Sequence, residues 1–265
     1  AEELSLPVMV CMDGFILTHA YERVDIPTQE QVDAFLPPYE PRQVLDPADP
    51  VSIGAMVGPD AFTEVRYLEH EKQMQALELI PEIAAEFKAG FNRDSGGLVR
   101  GYRIDDAETI VVAMGSVLGT IKDTIDEMRD AGVKIGVLGV ISFRPFPLQA
   151  VRAALKNAKR VVVLEKTFAV GIGGILATDV RTALAGIQHA SYTVVAGLGG
   201  RPILKKSLHE MLDKAGRDEL SGLTFLDLDW KVVNKELERE RQKRRSGPIA
   251  ENILRDVNNV AAHGV

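Results

Sequence analysis

Thr109-Ile110-Val111-Val112-Ala113-Met114, Lys134-Ile135-Gly136-Val137-Leu138-Gly139-Val140-Ile141 and Arg160-Val161-Val162-Val163-Leu164-Glu165 are three short apolar runs without polar alternation. Such runs fit strands buried on both faces, and each leads through a turn into a segment of helical period: Thr120 to Ala131, Leu148 to Asn157 and Ile175 to Leu184. Parallel strands need crossover connections of that kind, so the pattern predicts an α/β fold, doubly wound around a mainly parallel sheet.

Outward from this stretch, Val99 to Ile104 is expected as an edge strand, and Glu64 to Lys88 has helical spacing with Pro81 as a kink or a break into two helices. The segment from Ile26 to Pro50 holds six prolines, which predicts an extended linker with room for a short helix at Gln29 to Phe35. Leu4 to Met12 reads as a buried strand ending at the Asp13-Gly14 turn, with Cys11 as a buried, inert thiol. Lys231 to Arg245 runs from acidic to basic, as a solvated helix would, and Gly247-Pro248 stops it. Its few apolar residues predict order only against a partner.

Composition narrows the function. At 265 residues with 46% hydrophobic and 26% charged residues, the chain can bury a sizeable core. A net charge of −7 offers no general attraction to nucleic acid or anionic membrane, and Lys243-Arg244-Arg245 lacks interleaved aromatics. One cysteine excludes an intramolecular disulfide and any cluster held by this chain's cysteines alone. No run of 18 apolar residues and no basic leader is visible, so a cytoplasmic location without membrane contact is expected.

The candidate sites divide into plain and sharp readings. Gly171-Ile172-Gly173-Gly174 lies between a strand and a helix, but the G-x-G-x-x-G spacing is absent; glycines admitting close helix–sheet approach account for it better than phosphate binding. Ser116 in Gly115-Ser116-Val117-Leu118-Gly119 is expected as a helix N-cap. His19, His70, His189, His209 and His263 show no zinc spacing, so no metal site is expected. His19 alone follows the carboxyl end of an expected strand, where α/β folds gather ligands.

Taken in order, Ala113-Met114-Gly115-Ser116, Phe143-Arg144-Pro145-Phe146-Pro147, Val163-Leu164-Glu165-Lys166, Gly171-Ile172-Gly173-Gly174 and Gly197-Leu198-Gly199-Gly200-Arg201 resemble the transketolase-C-like domain of 2-oxoacid:ferredoxin oxidoreductases. Leu6-Pro7-Val8-Met9-Val10-Cys11-Met12-Asp13-Gly14-Phe15, with Thr18-His19, resembles the end of the thiamine-diphosphate-binding pyrimidine domain in the same alpha subunits, the pyruvate-oxidising type above all. The resemblance implies four regions: the end of that domain and a linker (1–50), a helical connector (51–104), the transketolase-C-like domain (105–215) and an assembly tail (216–265). It implies oxidative decarboxylation of a 2-oxoacid to an acyl-CoA by a complex. Thiamine diphosphate with Mg would be shared between subunits, iron–sulfur clusters would lie on other subunits, and beta, gamma and ferredoxin-like delta subunits and ferredoxin would be partners.

The family's substrate-contacting threonine and arginine and its cofactor-activating glutamate have no counterpart here. No catalytic residue is therefore expected in this chain, which alone should be inactive. Asp13, Gly14, Thr18 and His19 remain as candidates for a junction near the cofactor. Pyruvate is the favoured substrate; phenylglyoxylate, branched-chain 2-oxoacids, 2-oxoglutarate and oxalate stay open, as does a non-catalytic assembly module of the same fold.

Overall fold

The computed structural model describes the chain except for residues 15, 16, 37, 42, 51, 53, 243–248 and 263–265, and describes only the backbone of 259–262. His263, the Lys243-Arg244-Arg245 cluster and the Gly247-Pro248 helix stop lie outside the described residues. Two units result, Ala1–Thr224 and Phe225–Val265.

The apolar runs form the sheet. In chain order the strands are β1 (Val99–Tyr102), β2 (Thr109–Ala113), β3 (Ile135–Val140), β4 (Arg160–Glu165), β5 (Ala190–Val195) and β6 (Leu223–Phe225). They lie side by side as β1-β3-β2-β4-β5-β6. β3, β2, β4 and β5 are parallel neighbours, while β1 closes one edge antiparallel to β3, pairing Val99 with Val140. The sheet is thus mixed and mostly parallel, as the sequence predicted, and it takes in strands on either side of 105–215. β5 and β6 were not anticipated, because Ala190–Val195 begins half-polar and Leu223–Phe225 is three residues long.

Burial on both faces follows from the winding. Ile110, Val112, Leu138, Val140, Val161 and Val163 share one core with α4 (Leu148–Leu155) and α5 (Leu176–Ala183). The alternate residues of the same strands, Val111, Val137 and Val162, point to the opposite face by the two-residue period of a strand. That face belongs to α3 (Val117–Asp130) and α6 (Lys205–Gly216), which pack together. Each helix buries a stripe at helical spacing: Ile121, Ile125 and Met128 on α3, and Leu208, Met211, Leu212 and Ala215 on α6.

At the amino end of the sheet, Arg160 grips Asp218 with two hydrogen bonds, Nε to Oδ1 at 2.8 Å and Nη2 to Oδ2 at 2.7 Å. The Tyr192 hydroxyl donates to Oδ1 at 2.9 Å. The fork ties the turn after α6 to β4 and β5, although Asp218 must take a left-handed φ of 57° to reach it.

Two helices precede the sheet. α1 (Gln29–Phe35) starts with a capping box in which Thr28 Oγ1 accepts from Gln31 N at 3.3 Å while Gln31 Oε1 accepts from Thr28 N at 3.0 Å. Its Phe35 ring meets Phe87 and Phe91 of α2 (Phe62–Phe91), at centroid distances of 5.7 and 5.3 Å. α2 runs through Pro81 in one piece, where the sequence left open a break. A proline removes one backbone donor, but helical turns on both sides continue the ladder across the gap.

The expected strand at Leu4 to Met12 does not form, and Cys11 is exposed rather than buried. A strand needs a paired neighbour, and among the described residues this run joins none; Val8 stays 65% exposed and Val10 88%.

The second unit holds α7 (Trp230–Arg241) and α8 (Ile249–Ala262). Asp229 caps α7, accepting from Lys231 N at 2.9 Å and Val232 N at 3.2 Å. Asp256 of α8 joins Lys235 at 2.7 Å and Arg239 at 3.2 Å on α7. The helix expected from Lys231 is thus present as α7, capped by Asp229 and joined to α8 by ion pairs. Among the described residues no helix is long and apolar enough to cross a membrane.

The Asp218 fork predicts a pH dependence. Hydrogen bonds from Arg160 and then Tyr192 lower its carboxyl to about 2, against about 3.9 in an unfolded chain. Its contribution is present above about pH 4 and is lost as pH falls through about 2. The melting-temperature gap between the parent and Asp218→Asn should be largest near pH 7 and close towards pH 2; a gap independent of pH would show that the pair is not linked to folding.

Candidate functional site

The ladder order places a topological switch between β2 and β4. From β2 the chain leaves through α3 to β3 on one side; from β4 it leaves through α5 to β5 on the other. Open α/β sheets hold their ligands in the crevice beyond the carboxyl ends of two such strands. In this chain Gly115-Ser116 and Lys166 stand there, and the side chain of Asp13 fills the position.

Asp13 Oδ2 accepts from the Ser116 backbone N–H at 3.1 Å and also from the Ser116 hydroxyl. Asp13 Oδ1 accepts from Lys166 Nζ at 3.1 Å. The side chains of Asp13 and Lys166 are 26% and 37% exposed, so solvent screens the pair only in part. Ser116 is not the side-chain N-cap that the sequence predicted. Its backbone is already helical (φ −62°, ψ −26°), and its hydroxyl makes no cap bond. A carboxylate from 103 positions earlier in the chain meets the start of α3 instead, bringing a full negative charge to the positive end of the helix dipole.

α5 is treated in the same way by a different residue. Glu165, the last residue of β4 and 5% exposed, turns its carboxylate under the start of the helix. Oε2 accepts from Ile175 N at 2.8 Å, Leu176 N at 2.9 Å and Thr167 Oγ1 at 3.0 Å, and Oε1 accepts from Ala177 N at 3.1 Å. Four donors satisfy a charge that burial would otherwise make costly. Gly174 is required by this arrangement, since a Cβ there would lie 1.8 Å from Oε1. The close approach inferred for the glycines is therefore that of the Glu165 side chain. The Gly171–Gly174 loop is closed by paired bonds between Ala169 and Gly173, at 2.7 and 2.8 Å, and the anion seat at α5 already holds the chain's own carboxylate.

The other candidates are dispersed. Gly14 is exposed. Thr18 Oγ1 lies 3.1 Å from His19 Nδ1, and both residues are exposed. His70 is exposed on α2, His189 Nδ1 lies 2.9 Å from the Ile187 carbonyl oxygen, and His209 Nε2 lies 2.9 Å from Glu127 Oε2. Among the described residues no three His, Cys, Asp or Glu side chains converge as a metal site would require. Sequence reasoning missed Lys166 and the role of Glu165. A Glu-Lys pair ending an apolar strand was the available signal, but only the strand order shows that Lys166 faces Ser116.

Comparison with known proteins adds the family context. Residues 107–208 match the family model for the pyruvate:ferredoxin oxidoreductase core domain II, and residues 1–85 match that for the thiamine-diphosphate-binding part of pyruvate flavodoxin/ferredoxin oxidoreductases. The pyruvate synthase subunit PorA of Methanosarcina barkeri is 44% identical over 235 residues, covering 85% of this chain and 58% of that protein. The ketoisovalerate oxidoreductase subunit VorA of Pyrococcus horikoshii is 33% identical over 233 residues, covering 87% of this chain and 59% of its own length. A solved 2-oxoglutarate:ferredoxin oxidoreductase from Magnetococcus marinus is similar over 57% of this chain and 23% of its own, at 18% identity and a TM-score of 0.40. The chain thus spans somewhat over half the length of the curated relatives it matches.

The Glu165 seat predicts coupled substitutions. Glu165→Ala leaves three backbone N–H groups without their acceptor and should lower stability by about 3 kcal/mol. Gly174→Ala should do comparable harm by driving a methyl group into the carboxylate. In the double variant that methyl occupies the vacated space, so urea denaturation should give a loss smaller than the sum. Strict additivity would mean that the two residues do not meet.

Proposed function

Since the chain belongs to the 2-oxoacid:ferredoxin oxidoreductases, we propose that it is part of the alpha subunit of a complex that oxidatively decarboxylates pyruvate to acetyl-CoA. The observation that carries the substrate is the 44% identity to a pyruvate synthase subunit, against 33% to a ketoisovalerate oxidoreductase subunit. The latter keeps a branched-chain 2-oxoacid as the second reading. Electrons pass to ferredoxin through iron–sulfur clusters on other subunits; within this stretch Cys11 is the sole cysteine and cannot hold one. Beta, gamma and ferredoxin-like delta subunits are the partners, and the complex works in the cytoplasm.

The family implies thiamine diphosphate, which when bound supplies the carbanion-stabilising chemistry. The described residues do not fit its charged end. The helix starts beyond β2 and β4 are occupied by the carboxylates of Asp13 and Glu165, which would repel a diphosphate, and no metal-binding set stands among the described residues to carry Mg. We therefore assign this chain a scaffolding part. Its sheet holds a junction at which Asp13, Gly14, Thr18 and His19 lie near the cofactor, whose diphosphate and Mg other residues of the complex hold. Region 216–265 is read as an assembly tail that docks on another subunit of the complex; Trp230, Leu237 and Leu254 are exposed along it.

Two outcomes test this reading. The isolated 265-residue chain, given pyruvate, coenzyme A, thiamine diphosphate and a viologen dye, should show no turnover, whereas the purified complex should reduce the dye and contain thiamine, iron and acid-labile sulfide. Turnover by the chain alone, or a complex inert towards every 2-oxoacid, would sink the assignment. Ending the chain at Asp229 should leave the melting temperature of the sheet domain within about 2 °C of the parent, because Phe225–Val265 is a compact unit of its own. Co-purification with the other subunits should weaken, and undiminished assembly would show that the tail has another role.

A further inference from the structure

Polar contacts fasten the first 25 residues to the domain that follows. Lys72 Nζ of α2 donates to the Leu4 carbonyl at 2.7 Å, and Arg93 Nη2 donates to the Asp25 carbonyl at 2.6 Å. Between them Asp13 binds Ser116 and Lys166. Apolar burial contributes little among its described residues, because Leu4 and Leu6 are only half-buried while Val8, Met9, Val10, Met12 and Val24 are exposed. Two of the fastenings use backbone carbonyls, which any residue would provide. At position 13, by contrast, residue identity matters, since the contact needs a short side chain with two acceptor oxygens and a negative charge.

The place of that contact gives it a consequence. The carboxylate bridges the loops that leave two adjacent strands in opposite directions, so it fixes the segment against β2 and β4 together. Ser116 cannot cap its own helix from a helical backbone conformation and donates its hydroxyl outward instead. Thr18 and His19 follow Asp13 by five and six residues. We propose that Asp13 is a positioning residue: an electrostatic latch that docks residues 1–25 on the switch point of the sheet and thereby sets where the Thr18-His19 turn stands. The latch itself is independent of the activity; its catalytic consequence rests on the function proposed above.

Cys11 supplies the probe, being exposed and the single cysteine of the sequence. A nitroxide there and another at Lys206→Cys, whose side chain is 86% exposed, report the distance from the segment to α6 by double electron–electron resonance in the full chain. The parent should give one narrow distribution. Asp13→Ala should broaden it at least twofold, Lys166→Met should broaden it less, and the two together should broaden it no further than Asp13→Ala, because both remove one interaction. An unchanged width in Asp13→Ala, or additive broadening in the double variant, overturns the latch. If Asp13→Ala fails to fold, Lys166→Met tests the latch through the ion pair alone: broadening supports it and an unchanged width overturns it.

In the purified complex, Asp13→Ala should lower kcat for pyruvate by about tenfold with KM within about twofold, as expected when alignment rather than substrate affinity is disturbed. Asp13→Glu should recover part of that loss. An unchanged kcat removes the positioning role, whereas a parent complex without turnover overturns the proposed function and leaves the latch to the distance measurement.

Discussion

The unpaired N–H groups at the start of a helix form the constraint on which this molecule most depends. A parallel sheet sends its crossover helices away from its carboxyl edge, so these positive ends gather on one side of the fold and each needs an acceptor. Many α/β proteins leave such ends to a phosphate group. In this chain they are met from within, by Asp13 at α3 and Glu165 at α5. Much of the surrounding structure follows. Gly174 must be glycine because Glu165 lies against it, Thr167 turns back to donate to the same carboxylate, and Lys166 is left to face the switch point.

That arrangement bears on what the domain can do. A crevice lined with its own carboxylates repels phosphate and favours cationic or neutral neighbours. It explains why a strand–glycine loop–helix sequence need not be a nucleotide site. The two carboxylates differ in consequence. Glu165 is buried and local, so it sets the loop of its own strand; Asp13 is half-buried and remote in sequence, so it joins a separate segment to the sheet.

The amino edge is held by the opposite polarity. There Arg160 of β4 reaches out to Asp218 beyond α6, and Tyr192 of β5 adds a third bond. The Asp218 fork lies at this edge and the Asp13 contacts at the other, with the buried core of Val111, Val112, Val162 and Val163 between them.

The sequence by itself determined the central strands β2, β3 and β4 of the sheet. The uninterrupted apolar runs at Thr109–Ala113, Ile135–Val140 and Arg160–Glu165 are buried because no polar alternation would let either face meet water, and helical periods between them dictate parallel crossovers. The helix at Gln29–Phe35 was legible from the prolines around it, although its capping box was not read. Leu4 to Met12 was misread because a strand is a property of a pair, and local pattern cannot tell whether a partner stands beside it. Ser116 was misread for a related reason: its cap comes from Asp13, and a contact across 103 residues leaves no trace in the spacing of either. Periodicity encodes what a segment buries, so the core was in the sequence. Which charges meet at the carboxyl edge depends on strand order, and only the tertiary structure decided that.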